Sequence, residues 1–322
     1  MTAPTNLSTT LNMSGNREDL EDTIYRVAPE KTPFLSSIGK KKASARQHEW
    51  QTEILATPNP ANAALEGDDI ASLDAPTNTA RVSNYCQIFR KTLGVSRTQE
   101  VVDKAGRKSE VNRQKIRKGI ELRRDMEARM IGNYAAVAEA GATPRGTAGI
   151  LAWLTSNVSR GASGTSGTLS GGTNGFPNAA AGPGTQRTLT EALLKSAWAS
   201  AFSNGANPSI AFMGPVQKQQ FSAFTGIAGI RSDVKGREQA TIIAGAEVYV
   251  GDFGQLMLVP HPYGLTRDLV AIDPEYAAVA TLDGFKTDDL AKSGDSQKQI
   301  MTHEAAFECA NEKAHFVIAD LQ

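Results

Sequence analysis

Three side chains that could bind a metal ion lie near the C-terminus of this 322-residue chain: His303, Cys309 and His315, spaced six residues apart. Imidazole and thiolate are ligands that zinc prefers, but a zinc site needs a third or fourth ligand at close spacing. On one extended strand, His303 and Cys309 would lie about 20 Å apart. The pattern therefore favours ordinary packed residues, and we expect no metal ion and no cofactor.

Other segments resemble catalytic motifs but lack the partners that the chemistry needs. Glycine-rich residues 161–184 contain no Lys-Ser or Lys-Thr pair at the spacing of a phosphate-binding loop. Gly-Asp-Phe-Gly at 251–254 resembles the metal-binding tripeptide of protein kinases, but the other kinase motifs are missing and a hairpin turn is predicted. The carboxylate pairs Asp68–Asp69 and Asp288–Asp289 stand in polar segments typical of solvated loops. We expect no catalytic residues and no enzyme activity.

The composition disfavours several classes of protein. The chain has 34 Lys and Arg against 34 Asp and Glu, whereas a dedicated nucleic-acid-binding protein usually has a basic excess. Balanced charge does not oppose association with further copies of the chain. Two distant cysteines, Cys86 and Cys309, give no disulfide framework and indicate a reducing compartment. We expect neither a signal peptide nor a membrane span, because no long apolar run occurs.

Strands mixed with separate helices predict an α+β fold. Residues around Trp50 and Ile54 alternate in polarity, which indicates a strand, and a second strand is predicted through Tyr85 and Phe89. Together they would form a long hairpin with a polar tip at residues 59–78. Because an isolated hairpin is only marginally stable in water, we expect that either the tip is functional or the hairpin docks on another molecule.

The N-terminal segment contains a short amphipathic helix with no local partner. Residues 19–27 place Leu20 and Ile24 on one stripe, and Pro29 and Pro33 then force an extended backbone. A helix of this length is marginal alone. We therefore predict that this arm binds a different subunit.

The longest predicted helix covers residues 97–137. Its apolar edge contains Ile116, Ile120, Leu122, Met126, Met130 and Tyr134. Up to residue 131 it carries eleven basic and six acidic residues, and Gly106 and Gly119 are candidates for a bend or a start. This charge indicates either a solvated face or a weakly basic surface that faces nucleic acid without reading its sequence.

The rest of the chain is predicted to alternate between helices and strands. Residues 161–184 are expected to form a flexible exposed loop, because they are rich in glycine, serine and threonine. A helix capped by Thr188 or Thr190 and a helix starting at Pro215 follow. The C-terminus is predicted to be a hairpin that turns near Asn311.

Four segments and the order of the parts resemble one known family. They read LEDTIYRVAPEKTPFLSSIGKKK, HEWQTEIL, AFMGPVQKQQFSAF and HEAAFECANEKAHFVIADL. They resemble the major capsid (major head) protein of tailed bacteriophages, which has the Hong Kong 97-like fold. The resemblance covers nearly the whole chain, and residues 161–184 depart from it, so a variable surface loop is expected there.

The resemblance implies a division into five parts. These are an N-terminal arm (1–37), an extended loop that lies over a neighbouring subunit (38–95), the spine helix of the peripheral domain (96–140), an axial domain (141–285) and C-terminal strands of the peripheral domain (286–322). It also implies a precursor shell that expands during DNA packaging, and Gly39 and Gly94 are candidate hinges of the extended loop.

The resemblance further implies a structural subunit. Copies would assemble in the host cytoplasm into hexamers and pentamers of an icosahedral head, the virion capsid, which encloses double-stranded DNA. Expected partners are other copies of the chain, a separate scaffolding protein, a portal protein, optionally a decoration protein, and non-specifically the DNA, with no membrane. The predicted intersubunit contacts are Leu20, Ile24, Tyr25, Pro33, Phe34, Trp50, Ile54, Tyr85 and Phe89.

Two further expectations concern cross-linking and rival functions. Some members of the resembled family join subunits through Lys and Asn side chains, but here no lysine occurs between Gln51 and Arg90. We therefore predict no such cross-link. The alternatives are another phage structural protein, such as a tail-tube or minor head subunit, and an unrecognised cytoplasmic enzyme.

Overall fold

The computed structural model describes most of the chain. The described residues are 28–63, 66–67, 73, 76, 78–172, 174–224, 248–292 and 294–322. The predicted arm helix with Leu20, Ile24 and Tyr25, and the pair Asp68–Asp69, lie outside them. No helix among the described residues is long and apolar enough to span a membrane.

The described elements combine helices and strands, as the α+β prediction requires. The helices are α1 (Pro33–Ser37), α2 (Arg97–Val101), α3 (Glu110–Ile131), α4 (Ile150–Trp153), α5 (Glu191–Ser203) and α6 (Pro215–Ser222). The strands are β1 (Gly39–Lys42), β2 (Gln47–Thr52), β3 (Ala80–Tyr85), β4 (Gln87–Ser96), β5 (Val158–Ser159), β6 (Thr168–Gly171), β7 (Asn174–Ala179), β8 (Ile210–Met213), β9 (Val248–Gly251), β10 (Gly254–Pro260), β11 (Leu269–Ile272), β12 (Ala277–Asp289), β13 (Ser296–Cys309) and β14 (Phe316–Ile318).

A four-stranded sheet in the order β1-β12-β13-β4 supports the long helix α3, which lies along β4. β12 and β13 form an antiparallel hairpin, and β1 runs parallel to β12. β1 pairs with residues 278–281 of β12, and among the described residues no strand pairs with that side of β12 beyond residue 281. This side is the open edge of β12, whose register with β13 shifts twice near Asp283.

The predicted rod of residues 97–137 is two helices. Its break includes Gly106, whose positive φ of 71° suits glycine. The side chains of Ser96 and Ser109 cap α2 and α3 by accepting hydrogen bonds from backbone N–H groups. The predicted apolar edge is confirmed at Leu122, Met126 and Met130, which are buried. It is wrong at Ile116 and Tyr134, which are 67% and 45% exposed.

A six-stranded sheet in the order β5-β14-β11-β8-β10-β9 carries α5 and α6. The turn at 251–254 joins β9 and β10, as predicted. Thr190 caps α5 by accepting a hydrogen bond from the Leu193 N–H, and Gly205 follows the helix with a φ of 83°.

The predicted C-terminal hairpin is wrong. β13 pairs with β12 and β4, whereas β14 pairs with β11 and β5 in the other sheet. A short 3-10 turn, Glu312–Ala314, carries the chain between the sheets. The last part of β13, residues 305–309, and all of β14 are buried and mostly apolar, so their pattern gave no sign of different partners.

A third sheet, in the order β2-β3-β7-β6, contains the predicted hairpin. β2 and β3 pair antiparallel from Gln47 and Tyr85 to Thr52 and Ala80. The prediction of one continuous second strand is wrong, because β3 ends before Cys86 and β4 belongs to the four-stranded sheet. The prediction of a flexible loop at 161–184 is also wrong, because β6 and β7 lie there.

Candidate subunit-contact site

The arm enters the subunit at a buried carboxylate. The backbone N–H groups of Phe34 and Leu35, at the start of α1, donate to the two carboxylate oxygens of Glu127 at 2.8 Å each. Glu127 lies on α3 and is fully buried. The first N–H groups of a helix have no partner within it, and their partial positive charge favours a carboxylate. One side chain of α3 therefore fixes the arm's entry point.

A histidine completes this carboxylate's hydrogen bonds. His261 Nε2 lies 2.9 Å from Glu127 Oε1, and the Tyr263 N–H donates to His261 Nδ1 at 3.3 Å. Since Nδ1 accepts, Nε2 carries the proton and donates to Glu127. The Tyr263 hydroxyl also donates to the Lys31 carbonyl at 3.2 Å. Lys31, the first turn of α1, Glu127, His261 and Tyr263 together form the arm anchor.

The electrostatics of the arm anchor agree with this geometry. Burial raises the pKa of Tyr263, and the nearby Glu127 carboxylate raises it further. The guanidinium of Arg124 lies 5.4 Å from the centre of the Tyr263 ring. The phenol therefore stays neutral and keeps the proton that it donates to the arm.

A second polar cluster lies where the hairpin leaves the body. Glu308 on β13 is buried and accepts from Lys41 Nζ at 2.6 Å and from His48 Nε2 at 2.9 Å. Lys41 belongs to β1 and His48 to β2, so one carboxylate joins strands of two sheets. Burial alone would raise the pKa of Glu308, but hydrogen bonds from His48 and Lys41 outweigh it and hold the pKa below its usual value.

The change of direction between β3 and β4 is held by an arginine. Arg145 Nε donates to the Cys86 carbonyl at 2.6 Å, and its two terminal nitrogens donate to Glu139 and Glu304. The Cys86 N–H donates to the Arg46 carbonyl at 2.8 Å, which ties the start of the hairpin to its end. Burial raises the pKa of the Cys86 thiol to about 11, so the thiol is protonated.

Asn84 adds four hydrogen bonds beside this crossing. Its Oδ1 accepts from the N–H groups of Ala148 and Tyr85, both at 2.9 Å. Its Nδ2 donates to the carbonyls of Phe307, at 2.7 Å, and Ala148, at 3.3 Å. A fully buried amide with all of these bonds has a single favourable orientation. Glu308, Arg145 and Asn84, with their partners, form the hairpin base.

The whole chain matches one family. The model of the SU10 major capsid protein matches residues 3–322. This chain belongs to that family. The major capsid protein of Escherichia phage Phieco32 is 31% identical over 135 residues, and the match spans 42% of this chain and 38% of that relative's length. The resemblance to phage major capsid proteins is thus confirmed, and it favours a head subunit over a tail-tube protein or an enzyme.

Solved capsid structures share the fold at low identity. The cyanophage A-1(L) capsid asymmetric unit matches with a TM-score of 0.67 and 13% identity over 99% of both chains. Gordonia phage Cozz matches with a TM-score of 0.60 and 12% identity over 95% of this chain and 91% of the other. The structure of the phage G major capsid and decoration proteins matches with a TM-score of 0.52 and 12% identity over 99% of both chains. The Hong Kong 97-like fold is confirmed.

Two residues predicted to contact neighbouring subunits are buried within this capsid protein. Phe34 is 0% exposed, with its ring centre 5.6 Å from Phe212 and 5.7 Å from Phe307. Phe89 is 4% exposed and belongs to the same core. The prediction is wrong for these side chains. Their core partners are far away in sequence, so the local pattern could not distinguish a core contact from a subunit contact.

The other predicted contacts in the described residues differ in exposure. Pro33, Trp50 and Tyr85 are half-buried, and Trp50 packs on Trp153. Ile54 is 55% exposed, and its contact with a neighbouring capsid subunit stays a prediction. Leu55, which the sequence reading missed, is 88% exposed. The sequence did offer a signal for Leu55, because it directly follows Ile54 and lies shortly before the polar tip at residues 59–78.

Several basic residues of α3 and its flanks form ion pairs, but the excess of eleven basic over six acidic residues at 97–131 remains. The ion pairs are Glu110 with Arg107 and Arg113, Glu121 with Arg117 and Lys118, and Asp125 with Lys91. Hydrogen bonds from Arg113 lower the pKa of Glu110 to about 2, against the effect of burial. The charged face of α3 is thus partly neutralised by its own carboxylates.

The three candidate metal ligands have separate packing roles in this family member. His303 stacks on Phe285, with ring centres 4.2 Å apart, and burial lowers its pKa. His315 Nδ1 accepts from the Asp273 N–H at 3.1 Å, and burial lowers its pKa to about 4. Burial raises the pKa of the Cys309 thiol. Among the described residues, no group of three or more His, Cys, Asp or Glu could hold a metal ion.

Proposed function

We propose that this chain is the structural subunit that self-assembles into hexamers and pentamers of an icosahedral phage head enclosing double-stranded DNA. Membership of the SU10 major capsid protein family over residues 3–322 carries this proposal. Ile54 and Leu55 add support, because both side chains are exposed and lie in the hairpin just after the end of β2. Large apolar side chains that adjoin each other at the surface often mark a binding site.

The arm and the hairpin join neighbouring subunits in this proposal. Residues before 28, including Leu20, Ile24 and Tyr25, bind an adjacent copy, and the arm anchor sets the point from which they reach out. The hairpin lies over another copy through Ile54 and Leu55. Each contact is weak, but many such contacts act together in a closed shell.

The five-part division belongs to the same proposal, with one adjustment. The pairing of β4 with β13 supports an extended loop that ends near Cys86 instead of at residue 95. Gly39 and Gly94 both lie in paired strands, and their role as hinges during expansion of a precursor shell stays part of this proposal.

We propose the partners other than further copies of the chain from the family to which it belongs and from the charge of its residues. A scaffolding protein assists assembly, a portal protein occupies one vertex, and a decoration protein binds the outer surface. Contact with packaged DNA is electrostatic and weak, because the net charge is zero and many basic residues of α3 are paired. The role is structural, with assembly in the host cytoplasm.

Electron microscopy of the expressed full-length protein, with light scattering during size exclusion, tests the proposal. Shells, tubes or capsomer rings are expected, alone or after co-expression with the scaffolding protein encoded beside it. A discrete dimer or tetramer that forms no larger assembly under either condition would refute it. Deleting residues 1–27 should reduce assembly while leaving the subunit folded.

A further inference from the structure

The glycine-rich segment is a built two-stranded ribbon. β6 and β7 pair antiparallel, and Thr165 and Gly182 exchange two backbone hydrogen bonds of 3.1 and 2.9 Å below them. The glycines permit close packing. A Cβ on Gly161 would lie 2.0 Å from the Thr185 carbonyl oxygen, and one on Gly167 would lie 2.4 Å from that of Ala152.

One carboxylate holds the two chain segments that meet at the base of this ribbon. Asp320 Oδ2 accepts from the Gly161 N–H at 3.0 Å, and Oδ1 accepts from the Gly184 N–H at 2.6 Å. Arg267 donates to the same Oδ1 at 3.2 Å. Asp320 is buried and has a positive φ of 61°, which a non-glycine residue adopts only when its surroundings hold it.

The far end of the ribbon joins the hairpin. Gly175 in β7 pairs with Val82 in β3, and Asn174 Oδ1 accepts from the Arg81 N–H at 2.9 Å. The rings of Phe176 and Tyr85 meet edge to face at 5.1 Å. The ribbon thereby turns a two-stranded hairpin into a four-stranded sheet.

The middle of the ribbon is tied to the body next to α3. The Ala136 N–H donates to the Pro177 carbonyl at 2.7 Å. Asn133 and Ala181 exchange two hydrogen bonds, at 2.7 and 2.9 Å. The ribbon is hydrogen-bonded to the rest of the subunit at its base and middle and to the hairpin at its far end. It can therefore hold the hairpin in a fixed direction relative to the rest of the subunit.

We infer that residues 161–184 form an intramolecular brace, which fixes the direction of the extended hairpin in the free subunit, and that Asp320 is its positioning residue. The inference rests on the proposed assembly function. Two isolated strands are marginal in water, whereas four strands with a packed face are stable. A hairpin held in its binding direction loses less conformational entropy when a neighbour binds, which strengthens assembly.

Hydrogen exchange of unassembled full-length subunits tests the brace. In the double variant Asn174→Ala/Phe176→Ala, and in Asp320→Ala, the amides of β2 and β3 should exchange at least tenfold faster than in the unaltered chain. Those of β11, in the six-stranded sheet, should not change. Phe285→Ala, an aromatic truncation on β12, is the matched control and should leave β2 and β3 unchanged.

The two variants act at opposite ends of the brace, so either one that keeps the protection of β11 is informative. Unchanged exchange of β2 and β3 in such a variant would overturn the inference. Faster exchange in the same strands with Phe285→Ala would do the same, because the effect would then be unspecific. The exchange result does not depend on assembly, so absence of shells from the unaltered protein would refute only the proposed function.

Discussion

The arm anchor and the hairpin base both fix a projecting segment, but they do so differently. At the arm anchor, a single carboxylate, Glu127, accepts from two backbone N–H groups and a histidine. At the hairpin base, Asn84 and Arg145 hold the crossing at Cys86, and Glu308 joins β1 and β2 to β13. The arm anchor depends mainly on one side chain, whereas the hairpin base keeps part of its support after any single substitution. The arm should therefore be the more vulnerable to mutation.

Removing the carboxylate of the arm anchor should have the largest effect. Glu127→Ala leaves the Phe34 and Leu35 N–H groups and His261 buried without an acceptor, which should lower the free energy of unfolding by about 3–5 kcal/mol. Glu127→Gln, which keeps one acceptor oxygen, should cost less. Urea unfolding measures both, with Glu121→Ala on the same helix as the control. An equal loss for Glu121→Ala would contradict the dependence of the arm anchor on Glu127.

Removing one support of the hairpin base should have a smaller effect. Asn84→Ala loses four buried hydrogen bonds, but Arg145 and Glu308 remain, so we expect a loss of about 2 kcal/mol in the free energy of unfolding. The exposed Asn62→Ala serves as the control and should change little. A loss as large as that of Glu127→Ala would contradict the difference that we expect between the arm anchor and the hairpin base.

The pH dependence of the hairpin base follows from Glu308. Its pKa is lower in the folded than in the unfolded chain, so its stabilisation is present above the unfolded value of about 4.3 and is lost as the pH falls through the folded value. Glu308→Gln should therefore flatten the decline in stability as the pH falls below about 4. Urea midpoints between pH 3 and 7 test this, with the exposed Glu275→Gln as the control. An unchanged slope would contradict it.

The exposed side of the hairpin should contribute least to the subunit's own stability. Ile54→Ser/Leu55→Ser should change the free energy of unfolding by less than about 0.5 kcal/mol, because both side chains already face solvent. Assembly should nevertheless weaken, and light scattering of assembly reactions measures it. Ile88→Ser, at a half-exposed position on β4, is the control. Normal assembly of the double variant would remove these residues from the contact.

The sequence predicted the elements whose signals are local. β2 follows from the alternation around Trp50, and α5 and α6 follow from Thr190 and Pro215 at their starts. The apolar edge of α3 was correct at Leu122, Met126 and Met130 but not at Ile116. In each of these cases, residues within one or two turns of each other decide the structure.

The sequence could not predict contacts between distant residues. The Phe34 N–H and its acceptor on Glu127 are 93 positions apart, and a buried glutamate on a charged helix looks like a solvated one. The ribbon was misread because glycine serves close packing as well as flexibility, and only the neighbours of Gly161 and Gly167 distinguish the two. The change of sheet at Cys86 likewise depends on partners more than fifty residues away.

The open edge of β12 has a consequence for the behaviour of the protein in a crowded cell. An unpaired strand edge is a template on which other chains can add strands and precipitate. Here the edge beyond residue 281 carries Asp283, Lys286 and Asp288, and its two register shifts bend it out of a flat line. The charges and the bends therefore oppose the addition of a foreign strand to this edge.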